Sequence, residues 1–331
     1  MKTEGAVLES FGPPPGGLVV REVDVAEPAA GQVLLEMLAA AVNPADLNII
    51  EGAYGELPEL PAVIGNEGCG RVLAVGEGTR GFSAGDLVAV LRRGTWARHA
   101  VFSTEDLVRL PSGVDPLQAA MLAVNPPTAL LMLERFVDMK AGSWVVQNAA
   151  NSAVGRSVIQ IARARGLRTL NVVRRAELIP ELQALGGDAV VTEETDLRKA
   201  GRDLTGGQPV LLALNAVGGQ SALNIANALA PGGYHITYGG MARQPLKVPN
   251  GLLIFKDLSF RGFWLTRWKA VADAAEQEFV FNRLSGWLAD GSLSLPVHAT
   301  FPLDEIPAAV AEAAAAHRSG KVLIDLAACR T

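Results

Sequence analysis

The chain has 331 residues, 49% of them hydrophobic and 19% charged, which is enough for two domains with sizeable cores. Its formal net charge of −5 lacks the basic bias that nucleic-acid binding requires, and no apolar run reaches the ~20 residues of a membrane helix. Cys69 and Cys329, far apart in sequence, form neither a disulfide framework nor a zinc cluster. The opening Met1-Lys2-Thr3-Glu4-Gly5 passes straight into a strand-like segment without a charged leader, which predicts a soluble, cytoplasmic protein.

From residue 3 to about residue 111 the pattern is β, with runs at 33–37, 70–75 and 87–91 separated by glycine and proline. Gly12-Pro13-Pro14-Pro15-Gly16-Gly17 reads as an exposed turn, because strand pattern resumes at once. From residue 124 strands and helices alternate, with strands at 143–149, 168–174, 188–192, 210–216 and 234–238 and an amphipathic run at 158–165. Such alternation predicts a parallel, doubly wound sheet. A helical stretch around 272–289, an extended run at 297–303 and a helix and strand within 306–326 then return to the first domain. The expected fold class is α/β: a β-rich domain over 1–121, an inserted doubly wound domain over 122–265, and a C-terminal return over 266–331.

The apolar run 144–146 leads into Asn148-Ala149-Ala150-Asn151-Ser152-Ala153-Val154-Gly155, and a second apolar run ends at Arg174-Arg175. In a βαβ unit of this layout a turn of small residues follows the first strand, the next helix points its N–H groups at a pyrophosphate, and the end of the second strand reads the ribose. An acidic residue there would bond the 2′-hydroxyl of NAD, whereas two arginines suit the 2′-phosphate of NADP. Ala150 and Ser152 stand where glycine is common, and both still let backbone approach phosphate closely. The alternative is a structural strand-turn-helix with no ligand. Tyr238-Gly239-Gly240-Met241 ends another strand, on the side where doubly wound sheets bind ligands.

Tyr54 lies in a Gly-Ala-Tyr-Gly loop. With a reference pKa near ~10 its phenol stays protonated at neutral pH and can donate to an oxyanion; an ordinary surface tyrosine is the competing reading. His99, His235, His298 and His317 show no ligand spacing, and a lone Cys69 reads as a small buried hydrophobe, so no metal site is expected.

Asn43-Pro44-Ala45-Asp46-Leu47-Asn48, Gly52-Ala53-Tyr54-Gly55, Gly65-Asn66-Glu67-Gly68, Gln147-Asn148, Asn171-Val172-Val173-Arg174, Thr237-Tyr238-Gly239-Gly240-Met241 and Gly262-Phe263-Trp264-Leu265 together resemble the trans-2-enoyl thioester reductases of mitochondrial-type fatty acid synthesis, within the zinc-independent medium-chain dehydrogenase/reductase superfamily. The resemblance runs over nearly the whole chain. It implies a GroES-like catalytic domain, an inserted Rossmann domain, NADPH as cofactor, an enoyl-CoA or enoyl-acyl carrier protein as substrate, and a homodimer. It further implies Tyr54 and Trp264 as catalytic residues. Asn125, Asn151, Ser152, Ala153, Val154, Arg174, Arg175, Tyr238, Gly239, Gly240, Met241, Phe263, Trp264, Leu265 and Lys321 are implied as cofactor-binding. Arg92, Arg93, Arg267 and Lys269 are candidates for the phosphates of the acyl carrier, with solvated surface charge as the alternative.

Two departures from the family and one difference from its zinc-dependent relatives stand out. The family often has Arg-Asp-Arg where this chain has Arg174-Arg175-Ala176. Zinc-dependent relatives carry Gly-His-Glu where this chain has Gly65-Asn66-Glu67, and residues 43–48 contain no cysteine. The missing targeting leader points to a bacterial, cytoplasmic enzyme. An NADPH-dependent quinone reductase of the same superfamily and a silent NADPH-binding protein are the rival functions.

Overall fold

The structure is a computed structural model and describes residues 1–315 and 318–327. Cys329 and His317 therefore lie outside the described residues. The chain forms two compact units, one from Met1–Val124 with Ala272–Thr331 and one from Asn125–Val271.

In the first unit, strands Lys2–Leu8 and Leu18–Asp24 pair antiparallel, with Lys2 opposite Asp24 and Leu8 opposite Leu18, and the short strand Ala62–Val63 completes a three-stranded sheet. The proline-glycine turn closes this hairpin. Gly17 sits there at φ +73°, and a Cβ would fall 1.9 Å from the Ser10 carbonyl oxygen, so glycine is required. A seven-stranded sheet runs in the order Val297–Pro302, Lys321–Asp325, Gln32–Val42, Gly68–Val75, Leu87–Val90, Leu107–Arg109. One edge of the eleven-residue strand Gln32–Val42 is shared: His99–Ser103 pairs with residues 32–36 and Lys321–Asp325 with residues 39–42. The C-terminal strand is thus stitched into the N-terminal sheet. Its Val322 and Ile324 are fully buried in one cluster with Leu35, Met37, Ile49, Trp96 and Ile306. Each such side chain contributes about 1.5–3 kcal/mol by leaving water.

The second unit holds six strands in the order Ala189–Thr192, Arg168–Val173, Trp144–Gln147, Val210–Asn215, Tyr234–Thr237, Ser259–Gly262, all parallel. Every residue of Trp144–Gln147 is buried, as expected of a strand covered on both faces. Strand order reverses between this strand and Val210–Asn215, which makes the gap between their carboxyl ends a ligand-binding position in folds of this kind. The α/β class and the doubly wound sheet are as the sequence predicts. Ser259–Gly262 is a strand the pattern does not announce, because Ser-Phe-Arg-Gly has no apolar run. The amphipathic run at 158–165 ends at the C-cap Arg165 of a longer helix, Ala153–Ala164, which starts early because Ser152 caps it by accepting from the Gly155 N–H at 3.1 Å.

Candidate active site

At the carboxyl end of Trp144–Gln147 the chain turns sharply. Ala149 takes a left-handed conformation (φ +47°), and the Ser152 N–H closes the turn on the Ala149 carbonyl at 2.9 Å. Gly155 passes so near this turn that a Cβ would lie 2.5 Å from the Ala150 carbonyl oxygen. Here glycine serves helix-to-turn packing, the role of the last glycine in dinucleotide motifs. The N–H groups of Asn151, Ala153 and Val154 have no hydrogen-bond partner among the described residues. With the helix dipole behind them, such unpaired N–H groups are suited to holding an anion. Gly155→Ala is expected to lower stability by about 1–3 kcal/mol and to weaken NADPH, read by thermal melting and by titration of bound cofactor.

The second strand, Arg168–Val173, delivers Arg174 exposed and without an ion pair among the described residues, whereas Arg175 pairs with Glu177 at 3.5 Å. Tyr238 to Met241 follow the fifth strand and are fixed by backbone bonds from the Tyr238 N–H to the Asn215 carbonyl and from the Met241 N–H to the Ala216 carbonyl, both 3.0 Å. The Tyr238 hydroxyl is buried beside Ser152 and makes no well-formed hydrogen bond; burial raises its pKa above the ordinary phenol value, with Ser152 a smaller, opposing influence. Phe263 to Leu265 follow the sixth strand. Phe263 donates its N–H to the Thr237 carbonyl at 2.9 Å and packs edge-on against Phe136 with ring centroids 6.3 Å apart, and Trp264 is 39% exposed. The fold therefore gathers Asn151 to Val154, Arg174, Arg175, Tyr238 to Met241 and Phe263 to Leu265 at the carboxyl ends of parallel strands. Asn125 is buried at the start of the helix Asn125–Arg135 of the same unit.

Asn148, quoted in the sequence motif, belongs to a polar network whose partners the sequence pattern does not indicate. Asn148 donates to Asn215 Oδ1 at 2.8 Å and to Ser221 Oγ at 3.0 Å, and accepts from the Ala216 N–H at 2.8 Å. Asn215 in turn donates to Thr237 Oγ1 at 3.1 Å, while Ser221 donates to Glu193 at 3.0 Å. This buried chain ties four strand ends together across the switch point, and a satisfied network of that kind gives a rigid, unique geometry. Its partners are dozens of residues apart, so only the fold reveals it.

In the first unit, Tyr54 follows the helix Pro44–Glu51, which Gly52 ends in a left-handed conformation (φ +78°). Its ring is half-buried against the main core cluster, and Arg93 braces the same loop by donating to the Glu56 carbonyl at 3.1 Å. Arg92 pairs with Asp106 at 3.4 Å. Lys321 opens a strand that lies between two others, and its ammonium is buried, donating to the Val42 carbonyl at 2.9 Å and to Asn43 Oδ1 at 2.5 Å.

A buried polar cluster surrounds the start of the helix that precedes Tyr54. Asp46 accepts from the Asn43 N–H at 2.7 Å, the Asn66 N–H at 3.0 Å and the Asn66 amide at 2.7 Å. Glu67 accepts from the Asn43 amide and from the N–H groups of Ala123 and Val124. Burial raises the Asp46 pKa to about 7 and lowers that of Lys321 to about 8. No group of three or more histidine, cysteine, aspartate or glutamate residues among the described residues could hold a metal ion. Cys69 is buried, its thiol donating to the Pro116 carbonyl at 3.0 Å and pushed up to about 12 by burial.

Two family profiles match this architecture: the alcohol dehydrogenase GroES-like domain over residues 29–112 and the zinc-binding dehydrogenase profile over residues 153–279. A two-domain nicotinamide oxidoreductase of the medium-chain dehydrogenase/reductase superfamily is thereby defined. The chain is 44% identical over 299 residues to a protein of Caenorhabditis elegans named mitochondrial enoyl-[acyl-carrier-protein] reductase, a match covering 88% of this chain and 86% of that one. Among solved structures, the Etr1p complex with NADP and crotonyl-CoA superposes with a TM-score of 0.89 at 30% identity, covering 98% of this chain and 100% of that one. A structure described as an NADPH:quinone reductase from Bacillus thuringiensis superposes with a TM-score of 0.92 at 26% identity, covering 98% and 99%. The chain belongs to the enoyl thioester reductases of the medium-chain dehydrogenase/reductase superfamily.

The expectation of a cytoplasmic protein does not stand, since the curated relatives are named mitochondrial. It rested on the absence of a leader, and where a sequence begins carries no such information.

Proposed function

We infer that this chain reduces the C2–C3 double bond of trans-2-enoyl thioesters, carried by coenzyme A or acyl carrier protein, with NADPH as reductant. The single observation that carries the reading is the 44% identity to an enoyl-[acyl-carrier-protein] reductase over 88% of the chain. The quinone reductase reading rests on backbone likeness at 26% identity and is the weaker one.

The cofactor fits the residues present. The unpaired N–H groups of Asn151, Ala153 and Val154 suit a pyrophosphate, the Tyr238 hydroxyl beside Ser152 lacks an acceptor, and Arg174 is an uncommitted cation for a 2′-phosphate. Asn125, Arg175, Gly239, Gly240, Met241, Phe263, Trp264, Leu265 and Lys321 complete the proposed cofactor contacts. The chemistry NADPH supplies when bound is a hydride, delivered to the β-carbon. Negative charge then develops on the thioester oxygen, and the Tyr54 hydroxyl donates to it, lowering the barrier by stabilising the enolate rather than the substrate. Trp264, part of the wall after the sixth strand, excludes water from the reacting atoms. Protonation of the enolate at the α-carbon, with a proton that comes from solvent, yields the saturated acyl thioester and NADP+. Steady-state NADPH oxidation with enoyl-CoA substrates of increasing chain length, against a quinone, tests the reading: turnover on the quinone alone would refute it.

Zinc independence is part of this proposal. Asn66 is engaged with Asp46, and Glu67 with three N–H donors, leaving no ligand set at the Gly65-Asn66-Glu67 segment. Chelator treatment is expected to leave turnover and melting temperature unchanged; stoichiometric zinc lost together with activity would contradict this. A homodimer is proposed as well, supported by the free edge of Ser259–Gly262 and by Ile254 and Phe255, exposed just before it. Light scattering is then expected to give twice the 34.7 kDa of one chain.

A further inference from the structure

Arg156 has no part in the function derived so far, yet it is the most buried cation of the nucleotide unit. Its side chain is 4% exposed, and it makes two directed contacts: Nε donates to the Asn151 carbonyl at 3.1 Å, and a terminal nitrogen donates to Glu181 at 2.7 Å. Burying a cation in this way is no more stabilising than packing a hydrophobe of the same volume. The acceptors explain the choice better. Asn151 sits in the turn that carries the unpaired N–H groups of Asn151, Ala153 and Val154, and Glu181 lies in the first turn of the helix Ile179–Leu185, which closely follows Arg174 and Arg175.

The Asn151–Ser152 peptide is held at both ends. Arg156 takes its carbonyl, and the Ala149 carbonyl takes its N–H at 2.9 Å. The peptide planes on either side, which carry the Asn151 and Ala153 N–H groups, each share a Cα with this one, so holding it at both ends leaves them only the rotations about that Cα and narrows where their N–H groups can point. From the same guanidinium the second contact reaches the element that continues from the 2′-phosphate segment. The planar guanidinium makes both bonds at fixed angles, which an ammonium cannot do.

We propose that Arg156 is a positioning residue for NADPH: it joins the pyrophosphate turn to the helix behind Arg174, so that both phosphate-binding segments are set before cofactor arrives. The proposal rests on the reading that Asn151 to Val154 and Arg174 hold NADPH. The test measures NADPH dissociation constants by fluorescence titration, together with KM, kcat and melting temperature, for Arg156→Met, Arg156→Lys and, as a reference, Arg174→Ala. Arg156→Met is expected to weaken NADPH about tenfold, the loss of roughly one hydrogen bond to a charged group, with kcat at saturating cofactor within about twofold of the parent. Arg156→Lys, which keeps charge and length but only one bond at a time, is expected to fall between parent and Met variant. If Arg156→Met does not fold, a several-fold weaker NADPH constant in Arg156→Lys supports the proposal, and an unchanged one overturns it. A lowered melting temperature with NADPH affinity within twofold of the parent in both variants also overturns it, since that is all a purely structural arginine would do. Loss of affinity in Arg174→Ala without loss in either Arg156 variant refutes the positioning role alone; no loss in Arg174→Ala refutes the underlying cofactor reading.

Discussion

Tyr54→Phe is expected to lower kcat on crotonyl-CoA by about 10²–10³, equivalent to roughly 2.7–4 kcal/mol of transition-state stabilisation. Phenylalanine keeps the ring, and the Tyr54 ring is half-buried against the main core cluster, so the loop retains its packing while the hydroxyl donor is lost. NADPH affinity is expected to be unchanged, because the variant alters no group proposed to bind the cofactor. Pre-steady-state and steady-state rates on the same substrate check this. A mutant within a fewfold of the parent rate, with chemistry shown to limit turnover, would mean that the enolate charge is met by other donors. A quinone reductase would keep most of its quinone activity in the same variant.

Arg174→Ala is expected to raise the NADPH KM by about ten- to a hundredfold and to leave the NADH KM nearly unchanged. Arg174 is exposed and unpaired among the described residues, so removing it breaks no ion pair and stability should hold within about 0.5 kcal/mol. Arg175 is partly committed to Glu177, and Arg175→Ala is expected to have the smaller effect on the same ratio. Parallel titration with both cofactors checks both variants; equal use of NADPH and NADH by the parent would contradict the 2′-phosphate assignment.

The parts of this molecule that were legible in the sequence are those whose signal is local. Trp144–Gln147 and Arg168–Val173 are short, mostly buried runs built on Trp144-Val145-Val146 and on Leu170, Val172 and Val173 and bounded by turn residues, and their parallel pairing follows from the helix between them. The strand Gln32–Val42 was half visible. Residues 33–37 read as β, but Leu38-Ala39-Ala40-Ala41-Val42 lacks strand-type alternation, and it is β because Lys321–Asp325 and Gly68–Val75 pair with it. At the site, the capped turn and the two arginines could be read from spacing. What could not be read are groups that act through distant partners. Arg156 has the pattern of a solvated helix charge until Glu181 and the Asn151 carbonyl enclose it. Lys321 opens a strand that only the tertiary pairing makes internal, and Asn148 finds Asn215 67 residues away.

The most direct test of the central claim is the fate of the hydride. Crotonyl-CoA is reduced with NADPH deuterated at the nicotinamide C4 position that the enzyme uses, in ordinary water, and the acyl product is examined by mass spectrometry and NMR. The account predicts butyryl-CoA carrying one deuterium at C3 and none at C2, formed in step with NADPH consumed. Deuterium at C2, or consumption of NADPH with a quinone while crotonyl-CoA is recovered intact, would contradict it.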